Sequence, residues 1–172
     1  IKYAHNDIEN CEKMMKRAVK VAEEQGGGVL LVTEGVYGMT GALGILDKIV
    51  ELKKRYNFRI IIDDAHGFGV MGAHGAGTSE HFGVMDEVDL YFGAFAKSMA
   101  AIGGFIAGPK SIINFLRYNL RSQIYAKSLP MALVEGCLKR LDLIRKGDER
   151  RKHLFDIART LQKGLREKGF EI

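Results

Sequence analysis

Three polar residues that could carry out chemistry lie at the ends of short apolar runs. Asp63 and His66 follow the run at residues 58–62, and Lys97 follows the run at 88–92. A partly buried lysine can lose its charge and form a Schiff base, an imidazole can transfer protons near neutral pH, and a buried carboxylate can hold a proton on a basic nitrogen. Composition alone leaves open the ordinary roles of a surface lysine, a structural histidine and a loop-capping aspartate.

The apolar runs predict the strands that would position these residues. Each run is short, rich in Ile, Val and Phe, and bounded by Gly or Asp, which is typical of buried strands; a further run covers residues 103–108. Segments with helical periodicity separate the runs, so the sequence predicts an α/β fold with a mostly parallel sheet flanked by helices. Ligands of such sheets bind beyond the carboxyl ends of the strands, where Asp63, His66 and Lys97 are expected.

Local signals along the chain place the remaining elements. Asn6 and Glu9 have the spacing of a capping box, which predicts a helix that Asn6 caps. Residues 29–33 are predicted as a strand buried on both faces, and residues 169–172 as the beginning of another strand. Later helices are expected over residues 110–120, 131–145 and 149–168, with a polar connector between the first two.

The composition is that of a globular protein with an excess of positive charge. The 172-residue chain has a net charge of +5, and no apolar stretch approaches the roughly 20 residues that a transmembrane segment needs. The basic residues are mixed with acids on helical segments and lack interleaved aromatic residues, so we expect no nucleic acid partner. We expect a cytoplasmic protein with two reduced cysteines, Cys11 and Cys137, and its charge suits an anionic substrate such as an acyl-coenzyme A.

Four stretches together resemble one enzyme family. They are VTEGVYGMTG, IIIDDAHGFGVMG, VDLYFGAFAKSM and YNLRSQIYAKSLP, and the resemblance spans nearly all 172 residues. The family is that of the pyridoxal 5′-phosphate (PLP)-dependent α-oxoamine synthases, which have fold type I, the aspartate aminotransferase fold; the chain is most similar to the bacterial serine palmitoyltransferases. Members are more than twice as long. The resemblance therefore implies a partial PLP-binding large domain at residues 1–146 and the truncated start of a C-terminal small domain at 147–172, and we expect this piece alone to be inactive.

The resemblance also implies a role for each candidate residue. Lys97 would bind PLP covalently and act in catalysis, and Asp63 would pair with the ring nitrogen of the cofactor. His66 would be a second catalytic residue, near the phenolic oxygen of the cofactor and the substrate carbonyl. Three positions match the phosphate end of the cofactor site: Ser98, Ala94 and Ala126. Of these, Ala126 would be contributed by the partner subunit.

The activity that the resemblance implies is a decarboxylative condensation of an amino acid with an acyl-coenzyme A. L-Serine and palmitoyl-coenzyme A are the first choice of substrates, which would make the reaction the first step of sphingolipid synthesis. The resemblance also implies a homodimer with a shared active site. Glycine C-acetyltransferase and 8-amino-7-oxononanoate synthase are alternatives within the family. A catalytically impaired domain of the same fold is a further alternative, because the family often has hydroxyl groups at three positions that here are Gly38, Ala94 and Ala96.

Two other motifs point to different chemistry. Residues 67–72 read G-x-G-x-x-G after a predicted strand, as in dinucleotide-binding proteins, but no helical pattern follows and no acidic residue ends a second strand at the required distance. His66, His74 and His81 could be metal ligands, but their spacing places them on no common helix face. We therefore expect neither a dinucleotide site nor a metal site.

Overall fold

The computed structural model describes residues 1–172 and contains four strands and seven helices. The strands are β1 (Leu30–Glu34), β2 (Arg59–Asp63), β3 (Leu90–Ala94) and β4 (Gly104–Ala107). The helices are α1 (Ile8–Glu24), α2 (Leu46–Lys53), α3 (Thr78–His81), α4 (Lys110–Asn119), α5 (Arg121–Ile124), α6 (Met131–Arg145) and α7 (Asp148–Glu167). A 3-10 turn, Met85–Glu87, precedes β3.

The four strands form one sheet in the order β1-β2-β3-β4. Strands β1, β2 and β3 are parallel, and β4 is antiparallel to β3. The predicted α/β fold with a mostly parallel sheet is therefore confirmed. Because parallel strands end on the same side, the carboxyl ends of β1, β2 and β3 lie together, with Glu34 beside Asp63 and Asp63 beside Phe92.

The main core packs α1 and α2 against one face of β1 and β2. Its most deeply buried members, each at most 1% exposed, are Cys11, Leu46, Ile49, Leu52, Ile60 and Ile62. On β1, Leu31 and Thr33 are buried, whereas Leu30 and Val32 are 54% and 61% exposed. The prediction that this strand is buried on both faces is wrong, because its exposed face also carries apolar side chains and so conceals the alternation in the sequence.

The first helix is capped by a different residue from the one that the sequence predicts. The N-cap of α1 is Asp7, whose carboxylate accepts a hydrogen bond from the Asn10 N–H at 2.9 Å. Asn6 instead has a φ of 53°, and its side-chain amide donates to the Leu43 carbonyl at 2.9 Å. Asn and Asp are about equally good N-caps, so the tertiary hydrogen bond to Leu43 decides which of the two neighbours caps the helix.

The C-terminal part of the chain is helical, and the strand predicted at residues 169–172 does not form. The chain turns at Gly169, which has a φ of 83°, and the Phe170 N–H donates to the Leu165 carbonyl at 3.1 Å. A strand needs a neighbouring strand for its backbone groups, and none lies beside this segment. Cys11 and Cys137 are both free and buried, as predicted. None of the helices is both long enough and apolar enough to cross a membrane.

Arg151 is a buried residue for which the sequence gives no signal. Its guanidinium donates to the carbonyls of Ile144, at 2.6 Å, and Ala73, at 3.2 Å, and pairs with the carboxylate of Asp148. These bonds tie the junction of α6 and α7 to the long loop between β2 and β3. The domain boundary predicted between residues 146 and 147 lies inside this junction and stays a prediction.

Candidate active site

Asp63 is the last residue of β2, and its carboxylate lines a cleft of about 470 Å³. The same cleft is lined by Tyr3, Thr33 and Tyr37. The Oδ1 atom of Asp63 accepts a hydrogen bond from the Ala65 N–H at 3.1 Å, whereas its Oδ2 atom has no hydrogen-bond partner in the chain. A half-buried carboxylate with a free oxygen in a cleft is suited to accept a hydrogen bond from a protonated ligand.

Hydroxyl groups fix one wall of this cleft. The Tyr3 hydroxyl donates to Thr33 Oγ1 at 3.2 Å, and Thr33 Oγ1 lies 3.1 Å from the Tyr37 hydroxyl. Burial raises the pKa of Tyr3 to about 12, so this phenol keeps its proton at neutral pH. The His5 ring packs edge-on against Tyr37 with 4.3 Å between ring centroids. The wall is thus a hydrogen-bonded surface of hydroxyl groups beside the carboxylate of Asp63.

His66 lies in the turn that follows β2, and its imidazole is exposed and packs against Gly38. A β-carbon placed on Gly38 would lie 2.6 Å from His66 Nε2 and 3.0 Å from His66 Cε1, closer than ordinary contacts allow. The Gly38 N–H donates to a carboxylate oxygen of Glu34 at 3.3 Å, which ties this loop to the end of β1. The missing side chain at position 38 therefore lets the imidazole lie directly over the loop after β1.

Lys97 lies in the turn between β3 and β4. The Phe95 N–H donates to the Gly103 carbonyl at 2.9 Å, the Ala101 N–H donates to the Phe95 carbonyl at 2.8 Å, and Met99 is only 2% exposed. These contacts fix the backbone on both sides of Lys97. The side chain of Lys97 itself is exposed, because Met99 fills the buried position of this turn. The partial burial that is expected of a neutral lysine is therefore not found within this chain.

The loop that carries Lys97 packs on the loop that carries His66. A β-carbon placed on Gly69, which has a φ of 81°, would lie 2.5 Å from Ser98 Oγ and 2.7 Å from Ser98 Cβ. Ser98 therefore sits directly against the backbone at Gly69, a contact that only a glycine permits. Through this contact the turn that carries Lys97 and Ser98 lies on the turn that follows β2. The cleft beside Asp63 is not lined by His66, Lys97 or Ser98, and Ser98 lines a separate cleft of about 400 Å³.

The other two candidate positions lie further along the chain. Ala94 is the last residue of β3, where it pairs with Gly104. Ala126 is exposed and lines a different cleft of about 680 Å³, between β4, α4 and the connector. A single chain therefore does not bring Ala126 to the cleft beside Asp63, and its assignment to the site of a partner subunit stays a prediction.

The structure also describes the residues of the two competing motifs. Residues 67–72 form turns, and the next helix is the four-residue α3, which begins only at Thr78. The strand–glycine loop–helix geometry of a dinucleotide site is thus not formed. The chain contains no group of three or more His, Cys, Asp or Glu residues arranged to hold a metal ion.

Asp64 is the residue at this edge of the sheet whose environment the sequence does not indicate. It is fully buried, and its Oδ2 atom accepts hydrogen bonds from the Thr78 N–H and the Tyr91 hydroxyl, both at 2.7 Å. Burial raises the pKa of Asp64, and burial together with the nearby Asp64 carboxyl raises the pKa of Tyr91. Asp63 and Asp64 are thus neighbours in the sequence with opposite surroundings.

Comparison with known proteins gives a consistent result over the whole chain. The chain is 54% identical to a cysteate-C-fatty acyltransferase of Capnocytophaga ochracea, over 99% of this chain and 40% of that protein. It is 42% identical to a serine palmitoyltransferase of Bacteroides ovatus, over 100% of this chain and 42% of that protein. The chain therefore spans about two fifths of the length of the curated relatives that it matches.

Solved structures agree with these relatives. The Sphingomonas wittichii serine palmitoyltransferase has a TM-score of 0.92 and 33% identity, covering 99% of this chain and 42% of that one. A structure of SPT with PLP internal aldimine has a TM-score of 0.91 and 30% identity over the same shares. The fold is therefore that of part of the large domain of fold-type-I PLP enzymes. The aminotransferase class I and II family model matches residues 1–172, and the chain belongs to that family.

Proposed function

We propose that the whole protein is a PLP-dependent acyltransferase that joins an amino acid to an acyl-coenzyme A with loss of carbon dioxide. The observation that carries the proposal is the contact between Ser98 and Gly69, which places the Lys97 turn on the turn after Asp63 and His66. The similarity to a cysteate-C-fatty acyltransferase and to serine palmitoyltransferases supports the same reaction class.

The residues at this edge of the sheet fit PLP. Asp63 has a free carboxylate oxygen in the cleft, which suits a protonated ring nitrogen, and the exposed amino group of Lys97 is free to bind a carbonyl carbon. Ser98 and backbone N–H groups of its turn would hold the phosphate. Ala94 and Ala96 offer no hydroxyl, so fewer side chains would contact the phosphate here than is usual in the family.

Each side chain then has a defined task. When bound, PLP withdraws electron density from the α-carbon of an amino acid and so makes its proton acidic. Asp63 would keep the proton on the ring nitrogen through its negative charge. The Lys97 amino group would accept the α-proton, and His66 Nε2, held against Gly38, would donate a hydrogen bond to the substrate carbonyl.

The amino acid substrate is the finer part of the proposal. L-Serine is the substrate expected from the sequence, and the second candidate is L-cysteate, because the identity is 54% to the cysteate enzyme and 42% to the serine enzyme. Both have a three-carbon skeleton with a polar group on the β-carbon. Palmitoyl-coenzyme A remains the proposed acyl donor, and its negative charges suit the net charge of +5 on this chain.

We further propose that the protein acts in the cytoplasm as a homodimer whose partner contributes the segment around Ala126 to each site. Ala126 lies on an exposed connector, away from the Asp63 cleft of its own chain, which supports a role in the partner's site. With L-serine as substrate, the reaction would begin sphingolipid synthesis.

The reaction class can be tested by coenzyme A release. The whole protein is incubated with PLP, palmitoyl-coenzyme A and either L-serine or L-cysteate, with Lys97→Ala as the inactive control. We expect steady turnover with at least one of the two amino acids, and the larger kcat/KM identifies which of the two is the substrate. Turnover only with another small amino acid would favour one of the alternative synthases. No turnover with any amino acid would support the catalytically impaired domain instead.

A further inference from the structure

Thr33 places a buried hydroxyl on the face of β1 that packs against the apolar core. It is 5% exposed, and it pairs in the sheet with Ile62, the residue before Asp63. Burying a hydroxyl is unfavourable unless it is hydrogen-bonded. Two bonds satisfy this one: the Tyr3 hydroxyl donates to Thr33 Oγ1 at 3.2 Å, and the Tyr37 hydroxyl lies 3.1 Å from the same atom. Thr33 therefore joins the N-terminal segment to the loop after β1.

Tyr37 holds together the loop of residues 36–43, which we call the β1 loop. Its N–H donates to the Ala42 carbonyl at 2.9 Å, and its carbonyl accepts from the Gly41 N–H at 2.8 Å. Because both of its backbone groups bond to the far side of the loop, the loop has a fixed shape around this residue. A contact that fixes the Tyr37 side chain therefore fixes the position of the whole β1 loop.

The N-terminal segment contacts the β1 loop at two further points. The His5 ring packs edge-on against the ring of Tyr37, with 4.3 Å between ring centroids. The side-chain amide of Asn6 donates to the Leu43 carbonyl at 2.9 Å. The bond from Thr33 differs from these contacts in that its side chain is buried in β1, so it attaches the loop directly to the strand.

The β1 loop also carries the surface on which the His66 imidazole lies. Gly38 follows Tyr37 directly, and a β-carbon on Gly38 would lie 2.6 Å from His66 Nε2. We propose that the Thr33 hydroxyl is a positioning group for His66, which acts through the side chain of Tyr37 and the β1 loop. The catalytic importance of that imidazole rests on the proposed function, whereas the series of contacts from Thr33 to His66 does not.

Replacement of Thr33 by valine isolates the contribution of its hydroxyl. Valine has nearly the same shape as threonine but can neither donate nor accept a hydrogen bond. In Thr33→Val the hydroxyls of Tyr3 and Tyr37 lose their shared partner, and both lie on the wall of an open cleft where water can replace it. The β1 loop then loses its attachment to the buried face of β1, whereas Thr33→Ser keeps the hydroxyl and the attachment.

The test follows the imidazole signals of His66 in the whole protein without cofactor or substrate. These NMR signals are assigned by their loss in His66→Gln. We expect Thr33→Val to shift the nitrogen and proton signals of this ring, and Thr33→Ser to leave them close to those of the wild type. The matched control is Thr160→Val, which removes an exposed hydroxyl that donates to a carbonyl within α7 and should leave the His66 signals unchanged.

Turnover is the second readout. We expect Thr33→Val to lower kcat/KM by about tenfold, because a displaced catalytic group loses much of its effect, and Thr33→Ser to recover most of this loss. A purely structural role would lower the melting temperature of Thr33→Val but leave both the His66 signals and the kcat/KM of the folded protein unchanged. If the wild type shows no turnover, the proposed function fails, and the imidazole signals still decide the role of Thr33.

Tyr37→Phe decides the case if Thr33→Val does not fold. Phenylalanine keeps the ring that packs on His5 and loses only the hydroxyl, so we expect the His66 signals to shift in the same direction as in Thr33→Val. The two substitutions break one hydrogen bond, and their combined effect should therefore be smaller than the sum of the single effects. Unchanged His66 signals in folded Thr33→Val or in Tyr37→Phe would overturn the proposal, as would additive effects in the double variant.

Discussion

Gly38 and His66 are in contact across 28 residues of sequence, such that a β-carbon on Gly38 would lie 2.6 Å from His66 Nε2. The residue at position 38 therefore controls where the imidazole can lie. Gly38 does not have a positive φ, so its backbone would accept a side chain and the contact with His66 is the main obstacle to one. The family often has a serine at this position, whereas here the ring of His66 occupies the neighbouring space.

We predict that Gly38→Ser displaces His66 and lowers kcat/KM of the whole protein by up to about a hundredfold, the cost of moving a catalytic group by about 1 Å. The displacement is measured directly from the nitrogen and proton signals of the His66 imidazole. Gly28→Ala is the matched control, because nothing lies within 4 Å of a β-carbon at that position. Unchanged imidazole signals in Gly38→Ser would show that the contact does not position the ring.

Asp89 joins the start of β3 to β2 and α2. Its Oδ2 atom accepts from the Ile60 N–H at 2.8 Å and from Lys53 at 2.9 Å, and its Oδ1 atom accepts from Arg59 at 2.8 Å. Partial burial on its own would raise the pKa of Asp89, but the bonds from Ile60, Lys53 and Arg59 together hold it below its ordinary value. Its stabilising contribution is thus present above the ordinary pKa of aspartate and is lost as the pH falls through the lowered one.

We predict that Asp89→Asn lowers the free energy of unfolding by about 1–3 kcal/mol at neutral pH, the usual cost of breaking hydrogen bonds to a charged group. In urea denaturation the difference from the wild type should shrink as the pH falls through the lowered pKa. The exposed Asp86→Asn is the control and should change little. A difference that stays constant in acid would contradict this account of the charge of Asp89.

Arg151 should contribute to stability through its bonds to the Ile144 and Ala73 carbonyls. We predict that Arg151→Met lowers the free energy of unfolding by about 1–3 kcal/mol, because it removes the hydrogen bonds of a buried charged donor to two carbonyls and its ion pair with Asp148. The neighbouring Arg150 is exposed, so Arg150→Met should have an effect within about 0.5 kcal/mol. Equal losses in the two variants would show that only the charge of this segment matters.

The sheet could be predicted because its signals are local. Each strand is a short apolar run, and Asp63 ends one such run while Lys97 lies in the turn after another, so parallel strands place the candidate residues towards one edge. The surroundings of Asp64 could not be predicted in this way. Its partners Thr78 and Tyr91 lie 14 and 27 residues away, and the sequence does not reveal which of two adjacent aspartates points inward.

Errors at the chain ends and on β1 have a similar origin. Asn6 and Asp7 are both good helix caps, and only the bond from Asn6 to the distant Leu43 carbonyl distinguishes them. Apolar side chains on both faces of β1 led to the prediction of a strand buried on both faces, although Val32 is 61% exposed. In each case the outcome depends on whether segments far apart in the sequence make contact.

Lys97 is the residue proposed to bind PLP, and covalent trapping is the direct test of that assignment. The whole protein is incubated with PLP, reduced with borohydride, digested, and analysed by mass spectrometry for the modified lysine. We predict that the reduced cofactor is attached to Lys97, that Lys97→Ala yields no adduct, and that the exposed control Lys110→Ala is labelled like the wild type. An adduct on a different lysine, or an undiminished yield from Lys97→Ala, would contradict the assignment of the site.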